Sequence, residues 1–273
     1  MKKILLVAVA IIILSVAGGA YVYRQQVRHQ QQISALQAAK HSRVLANIEA
    51  ARKAKAALKQ VIPPPLFDKK AMSNDDPTSL WVVVNKQRSL QPKDYAPNDL
   101  TVPNIPLRSA DKSSEMQLRK AAAIALEQMS AAAIKDSAHL MVASGYRSYG
   151  LQVSVYGSEV KAYGQAKADS ESARPGYSEH QTGLAVDLEP TSRVCEIADC
   201  FAETIEGKWL TAHAAEYGFM QRYTADKVGI TGYRAEAWHY RYVGTALTNE
   251  LRKQGVSTLE EFFGLAAAPD YTN

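Results

Sequence analysis

The chain has 273 residues, 47% of them hydrophobic and 22% charged, with a formal net charge of +5. That composition excludes an intrinsically disordered chain and is enough to bury the core of one large domain or two small ones. The positive charge is local: the first sixty residues carry +9, leaving −4 for the remainder, and no nucleic-acid-binding motif accompanies the basic stretch.

Lys2 and Lys3 precede an uncharged, largely apolar run from Ile4 to Tyr23. At about 1.5 Å per residue, that run is long enough for the roughly 30 Å core of a bilayer. It exceeds the roughly 7 to 15 residues of a signal-peptide core, which favours an uncleaved membrane anchor over residues 1–23. Small residues around Ala17 and Ala20 leave cleavage and secretion as the alternative. Either route predicts that the rest of the chain is extracytoplasmic. Residues 24–60 then set eight Lys or Arg against Glu49 alone. Rich in Ala and Gln, with Ile33, Leu36, Leu45 and Ile48 at roughly helical spacing, they predict a basic helical stalk over 24–62, stopped by Pro63-Pro64-Pro65. Such a stalk suits anionic lipids or wall polymers, and a coiled-coil helix is the other reading.

Residues 63–78 read as a linker, which places the main domain at 79–268 with a short tail at 269–273. Inside it, Ser79–Lys86 reads as a strand, Ser114–Ile134 as a helix, Leu140–Ala143 as a strand and Gln152–Tyr163 as a helix. Pro175-Gly176 closes a polar stretch, and Gly183–Leu188 alternates as a strand does. A further helix is expected over Trp209–Tyr217, with a turn at Gly218 into a strand from Phe219. Cys195 and Cys200 are the only cysteines. Two thiols cannot close a structural zinc site alone, and in an exported domain they favour a short disulfide; two unpaired thiols in one loop are the alternative.

Two segments carry the chemistry, SEHQTGLAVDL at Ser178–Leu188 and EAWHY at Glu236–Tyr240. They offer His180, Asp187 and His239 as a His/Asp/His donor set. Catalytic zinc takes about three N/O ligands from protein and keeps a fourth position for water. Glu236 stands three residues before His239, within reach of such a water as general base without being a ligand.

The pattern Ser178-x-His180-x-x-Gly183-x-Ala185-x-Asp187, followed by Glu236-x-Trp238-His239, resembles the zinc D-alanyl-D-alanine carboxypeptidases of the VanY type. These belong to a wider group that includes lysostaphin-like peptidases and the hedgehog signalling domain. The likeness extends through Trp81–Leu100, Ser144–Gln152 and Trp209–Tyr223. Ala237 and Thr224 stand where the family usually has Pro, positions that supply no functional group. The resemblance implies an α+β fold, a small antiparallel sheet flanked by helices with the zinc cleft on the sheet, behind the N-terminal membrane helix and stalk. It implies one zinc ion held by His180, Asp187 and His239, with Glu236 as the catalytic acid–base. Arg147 takes the place of the family arginine that stabilises the oxyanion or holds the substrate carboxylate. Gln152 and Ser178 match peptide-binding positions, while Tyr149, Trp238 and Tyr242 read as cleft walls or core aromatics. His29, His41, His139 and His213 fall outside the motifs and are read as non-catalytic.

The expected activity is removal of a C-terminal D-alanine from peptidoglycan stem peptides by a monomeric, membrane-attached enzyme that does not bind nucleic acid. An L,D-carboxypeptidase trimming tetrapeptides to tripeptides would share every motif. Export argues against a dipeptidase for free D-Ala-D-Ala, and the intact Glu236 and Arg147 argue against a silent zinc module that only binds wall peptides.

Overall fold

The computed structural model describes residues 2–61, 67–109 and 114–272, with side chains of the first helix described at Gly19, Tyr21 and 23–53. The chain forms two compact units, 1–66 and 67–273. In the first, helix α1 runs from Lys2 to Val61. Its Ile33, Leu36, Leu45 and Ile48 are exposed. The side chains of the apolar run read as an anchor lie almost wholly outside the described residues, as does the triple proline. Among the described residues no helix is long and apolar enough to cross a membrane.

The second unit is α+β. A two-residue strand β1 (Leu100–Thr101) pairs with β2 (Leu118–Arg119), and α2 (Lys120–Lys135) follows directly. In α2, Ala122, Leu126, Met129 and Ala133 recur at helical spacing and are all buried, which turns one stripe of the helix onto the core. Strand β3 (Leu140–Ser144) leads to α3 (Tyr149–Tyr163), whose N-cap Ser148 accepts a hydrogen bond from the Leu151 amide. Helix α4 (Gln165–Glu171), strand β4 (Ala185–Pro190), α5 (Ile205–His213) and β5 (Phe219–Tyr223) follow. The chain closes with α6 (Val228–Thr231), β6 (Glu236–Tyr242), α7 (Thr245–Gln254) and α8 (Leu259–Phe263).

Strands β3, β4, β6 and β5 form, in that order, one antiparallel sheet. Strand β4 is buried along its whole length between two neighbours. Alternation sends Val186 and Leu188 of β4 into the main hydrophobic cluster with Leu126, Met129 and Val142, and leaves Asp187 on the opposite face. A second cluster, containing Trp81, Val83, Leu247, Leu251 and Phe262, holds α7 and α8 against the body.

Ser79–Lys86 is not a strand. The segment is deeply buried, but its only bridge pairs Asn85 with Arg88, and the carbonyls of Leu80 and Val82 accept from the Arg241 guanidinium instead of from a neighbouring strand. The polar stretch read as linker belongs to the second unit from Phe67, whose ring stacks on Trp81 at 5.3 Å. The tail is also tied in, since the Tyr271 hydroxyl accepts from the Arg174 amide at 2.8 Å.

Candidate active site

Three stretches of backbone bring the donor set together. His180 lies on a 3-10 turn, Glu179–Thr182, that ends at Gly183 with φ 68°. A Cβ at Gly183 would meet Arg119 Cγ and Leu100 Cδ2 at 3.0 Å, so both the conformation and the space require glycine. Asp187 follows on β4, and the sheet register sets it directly opposite His239 on β6. All three residues are buried, and their ligand atoms lie within 4.8 Å of one another.

Neighbouring groups fix the orientation of each ring. His180 Nδ1 donates to the Gly145 carbonyl at 2.7 Å, leaving Nε2 to face Asp187 Oδ2 at 3.3 Å. Gly145 approaches so closely that a Cβ there would lie 2.4 Å from the Gln117 carbonyl oxygen. His239 has the reverse arrangement: Nδ1 faces Asp187 Oδ1 at 3.2 Å, while Nε2 donates to Glu179 Oε2 at 3.4 Å. Each imidazole thus spends one nitrogen on a protein acceptor and presents the other to the cluster, the arrangement that orients a metal-binding histidine.

The donor chemistry fits a divalent cation. Asp187 Oδ1 is buried, and while the neutral His239 ring keeps its proton on Nε2 toward Glu179 this oxygen faces only the unprotonated Nδ1, which is costly for a carboxylate oxygen unless a proton or a cation sits between them. Burial opposes charge on Asp187, yet His180 and His239 outweigh it and hold the carboxyl well below its ordinary range. Burial keeps His180 below the usual imidazole value against the pull of Asp187, which favours the neutral ring a metal needs. Burial also disfavours charge on His239, but hydrogen bonds to Asp187 and Glu179 push it up to about 10, so a proton and a cation compete for this ring.

Glu236 opens β6, with Oε2 3.6 Å from His239 Nδ1. Burial pushes its carboxyl up to about 7, against the opposing effect of His239. Arg147 lines the same cavity, of about 210 Å³. Its terminal nitrogens donate to Gln152 Oε1 at 3.2 Å and Ser144 Oγ at 3.3 Å, while its Nε is buried without a partner. Ser178 and Trp238 are cavity walls. Gln152 sits behind Arg147, fully buried, and its amide donates to the Ala173 carbonyl at 2.7 Å, so it positions the arginine and the 172–173 backbone. Tyr242 packs against the main core. His213 lies outside the cluster and interacts with Glu216 at 3.2 Å.

Sequence reasoning missed Glu179. Its carboxylate is fully buried and accepts from Arg222 Nε and from Arg241, each at 2.9 Å. Arg222 in turn makes two hydrogen bonds to Glu260, at 3.0 and 2.7 Å. Burial opposes charge on Glu179, but the two guanidiniums outweigh it and hold the carboxyl far below its ordinary range. Nothing in the chain order marks these four residues as partners. Ile197, Tyr223 and Arg234 also line the cavity unannounced.

The VanY family profile, described as D-alanyl-D-alanine carboxypeptidase, matches residues 115–245. The YodJ protein of Bacillus subtilis (strain 168) is 41% identical over 188 residues, covering 69% of this chain and 68% of its own. The solved structure of the LD-carboxypeptidase LdcB superposes with a TM-score of 0.66 at 40% identity, over 70% of this chain and 88% of that one. The D,D-pentapeptidase VanY from a VanB-type resistance cassette, solved with Zn(II), superposes with a TM-score of 0.55 at 31% identity, over 68% of this chain and 98% of that one. The family match runs through both halves of the donor cluster, and a relative with the same fold carries zinc; on these grounds the chain belongs to the VanY D-alanyl-D-alanine carboxypeptidase family and is a zinc peptidase.

Proposed function

We propose that the protein hydrolyses the last peptide bond of peptidoglycan stem peptides and releases a C-terminal D-alanine, and that it does so outside the cytoplasm, attached to the membrane through its N-terminal segment. The observation that carries this reading is the convergence of His180 Nε2, the Asp187 carboxylate and His239 Nδ1 beside Glu236 in one cavity with Arg147. His180, Asp187 and His239 are the residues that would hold zinc. When bound, the ion supplies Lewis acidity and lowers the pKa of water toward about 7.

The chain's own groups do the rest. Glu236 accepts the proton of the attacking water and returns it to the departing amine of D-alanine, so that one water is consumed and a carboxylate and an amine are formed. Burial favours the protonated form of this carboxyl, the direction that suits a group which must hold a proton and then release it to the amine. Arg147 lines the cavity, and its guanidinium is a donor for the oxyanion or for the substrate's terminal carboxylate. Ser178 lines the opposite end of the His180 turn and contributes a hydroxyl to peptide binding.

The D,D reaction, on the pentapeptide, is supported by the family's description as D-alanyl-D-alanine carboxypeptidase and by the likeness to the D,D-pentapeptidase VanY. The tetrapeptide, L,D reaction is favoured by the likeness to the LD-carboxypeptidase LdcB. Both release D-alanine through the same residues and differ in the configuration of the residue on the acyl side. Incubation of the protein with defined penta- and tetrapeptides, followed by mass analysis, separates them: loss of one alanine from the pentapeptide alone supports D,D specificity, and loss from the tetrapeptide supports L,D. Cleavage of neither overturns the proposal.

A further inference from the structure

The loop between β4 and α5 is the most strained segment of the second unit. Arg193, Cys195 and Ile197 have φ angles of 58°, 62° and 43°, so three residues with side chains occupy the left-handed region within five positions. For a β-branched residue such as Ile197 this is a marked outlier, and such backbone persists only where its surroundings hold it. Here the surroundings are identifiable. Cys195 is bonded to Cys200, closing a short ring around Ile197. The Arg193 amide donates to the Pro190 carbonyl at 2.9 Å, and its guanidinium donates to the Arg108 carbonyl at 3.1 Å. Cys195 and Ile197 also pack against the main core.

The consequence is felt in the cavity. Ile197 lines it together with Asp187, Glu236 and Trp238, and it is the only branched aliphatic side chain among the described lining residues. The other described walls are polar or aromatic apart from the single methyl of Ala173, so Ile197 is the largest aliphatic surface open to a substrate alkyl group.

We propose that Ile197 is a specificity-determining contact for the small alkyl side chain of a substrate residue at the scissile bond, and that the Cys195–Cys200 disulfide is the positioning element that holds it there. The inference rests on the D-alanine-releasing reading above. Substrate affinity then depends on the redox state of this pair. Reduction by a phosphine in water breaks the S–S bond and forms two thiols, while the phosphine takes the oxygen of one water and becomes the phosphine oxide. The loop is freed to leave the left-handed conformation, and Ile197 withdraws from the wall.

The test uses the full chain with bound zinc and two stem peptides of the cleaved length, one ending in D-alanine and the other in glycine. KM, kcat and zinc content are measured before and after treatment with tris(2-carboxyethyl)phosphine, with reduction verified by a gain of two hydrogens in mass. Reduction is expected to raise KM for the alanine-ending peptide about 10-fold, the size of a lost alkyl contact, while kcat and zinc content hold. The C195S/C200S variant should show the raised KM without treatment and no response to the phosphine. Ile197→Gly, which keeps the disulfide and relieves the strained φ, should narrow the preference for alanine over glycine by a similar factor. An unchanged KM on verified reduction overturns the disulfide's role. An unchanged alanine-to-glycine preference in Ile197→Gly overturns the contact, and this variant decides the matter if the reduced protein loses zinc. Failure of the untreated enzyme to release an amino acid from either peptide would instead overturn the reaction on which the inference rests.

Discussion

Replacing Glu179 by Gln tests the buried network behind the donor cluster. Glu179, Arg222, Arg241 and Glu260 are each at most 2% exposed and balance two positive charges with two negative. Glutamine removes one negative charge and leaves a buried guanidinium uncompensated, a loss that costs about 3–5 kcal/mol when one member of a buried ion pair is removed. Both 2.9 Å hydrogen bonds from the arginines end on Oε1, where a Gln carbonyl oxygen still accepts them, so the lower end of the range, about 3 kcal/mol, is expected. The same substitution replaces Oε2, the acceptor 3.4 Å from His239 Nε2, by an amide NH2 that cannot accept. Loss of such an outer partner lowers metal affinity about 10- to 100-fold. Urea unfolding of the metal-free protein reads the first effect, and competition with a chromophoric chelator reads the second. A stability change below about 0.5 kcal/mol, or zinc affinity equal to that of the unmodified protein, would refute the assignment.

Glu236→Gln should retain zinc while turnover falls about 10²- to 10⁴-fold; metal analysis beside a kinetic assay checks this, and loss of zinc from the folded variant would make Glu236 a ligand. Gly183→Ala places a Cβ in a left-handed turn 3.0 Å from Arg119 and Leu100 side-chain atoms, so thermal unfolding should reveal a loss of about 1–3 kcal/mol together with weaker zinc binding through the displaced His180. Burial works against charge on Asp169, but the hydrogen-bonded Arg174 guanidinium, 2.8 Å away, outweighs it and lowers the carboxyl below its ordinary value. A lowered folded-state value means stability that is fully present above the unfolded value of about 3.9 and is lost as pH falls through the folded one. Asp169→Asn should therefore lose part of the acid dependence of unfolding below about pH 5, and an unchanged profile would count against the pair.

The metal cluster was legible in the chain because its residues sit in two short motifs with local spacing. The alternation of Gly183–Leu188 placed Asp187 on one face of a strand, and β4 keeps it there, opposite the apolar face formed by Val186 and Leu188. Strand β3 and helix α3 were equally readable from local composition, and the expected bond between Cys195 and Cys200 is present. What escaped depends on pairing across long separations. Ser79–Lys86 has the apolar content of a strand, but the Arg241 guanidinium rather than a strand takes its carbonyls. Arg222, Arg241 and Glu260 look like ordinary surface charges until the fold buries them around Glu179. Ile197 reaches the cavity only because its loop adopts φ angles that no propensity of Ile suggests.

The central claim is that His180, Asp187 and His239 hold one zinc ion on which D-alanine release depends. Its most direct measurement strips the protein with a chelator and titrates zinc back while bound metal and release of D-alanine from a defined stem peptide are followed together. The account predicts no release from the metal-free protein, recovery that saturates at one zinc per chain, and neither binding at this site nor activity in His180→Ala or His239→Ala. Release of D-alanine by protein shown to be metal-free, or full recovery in either histidine variant, would contradict it.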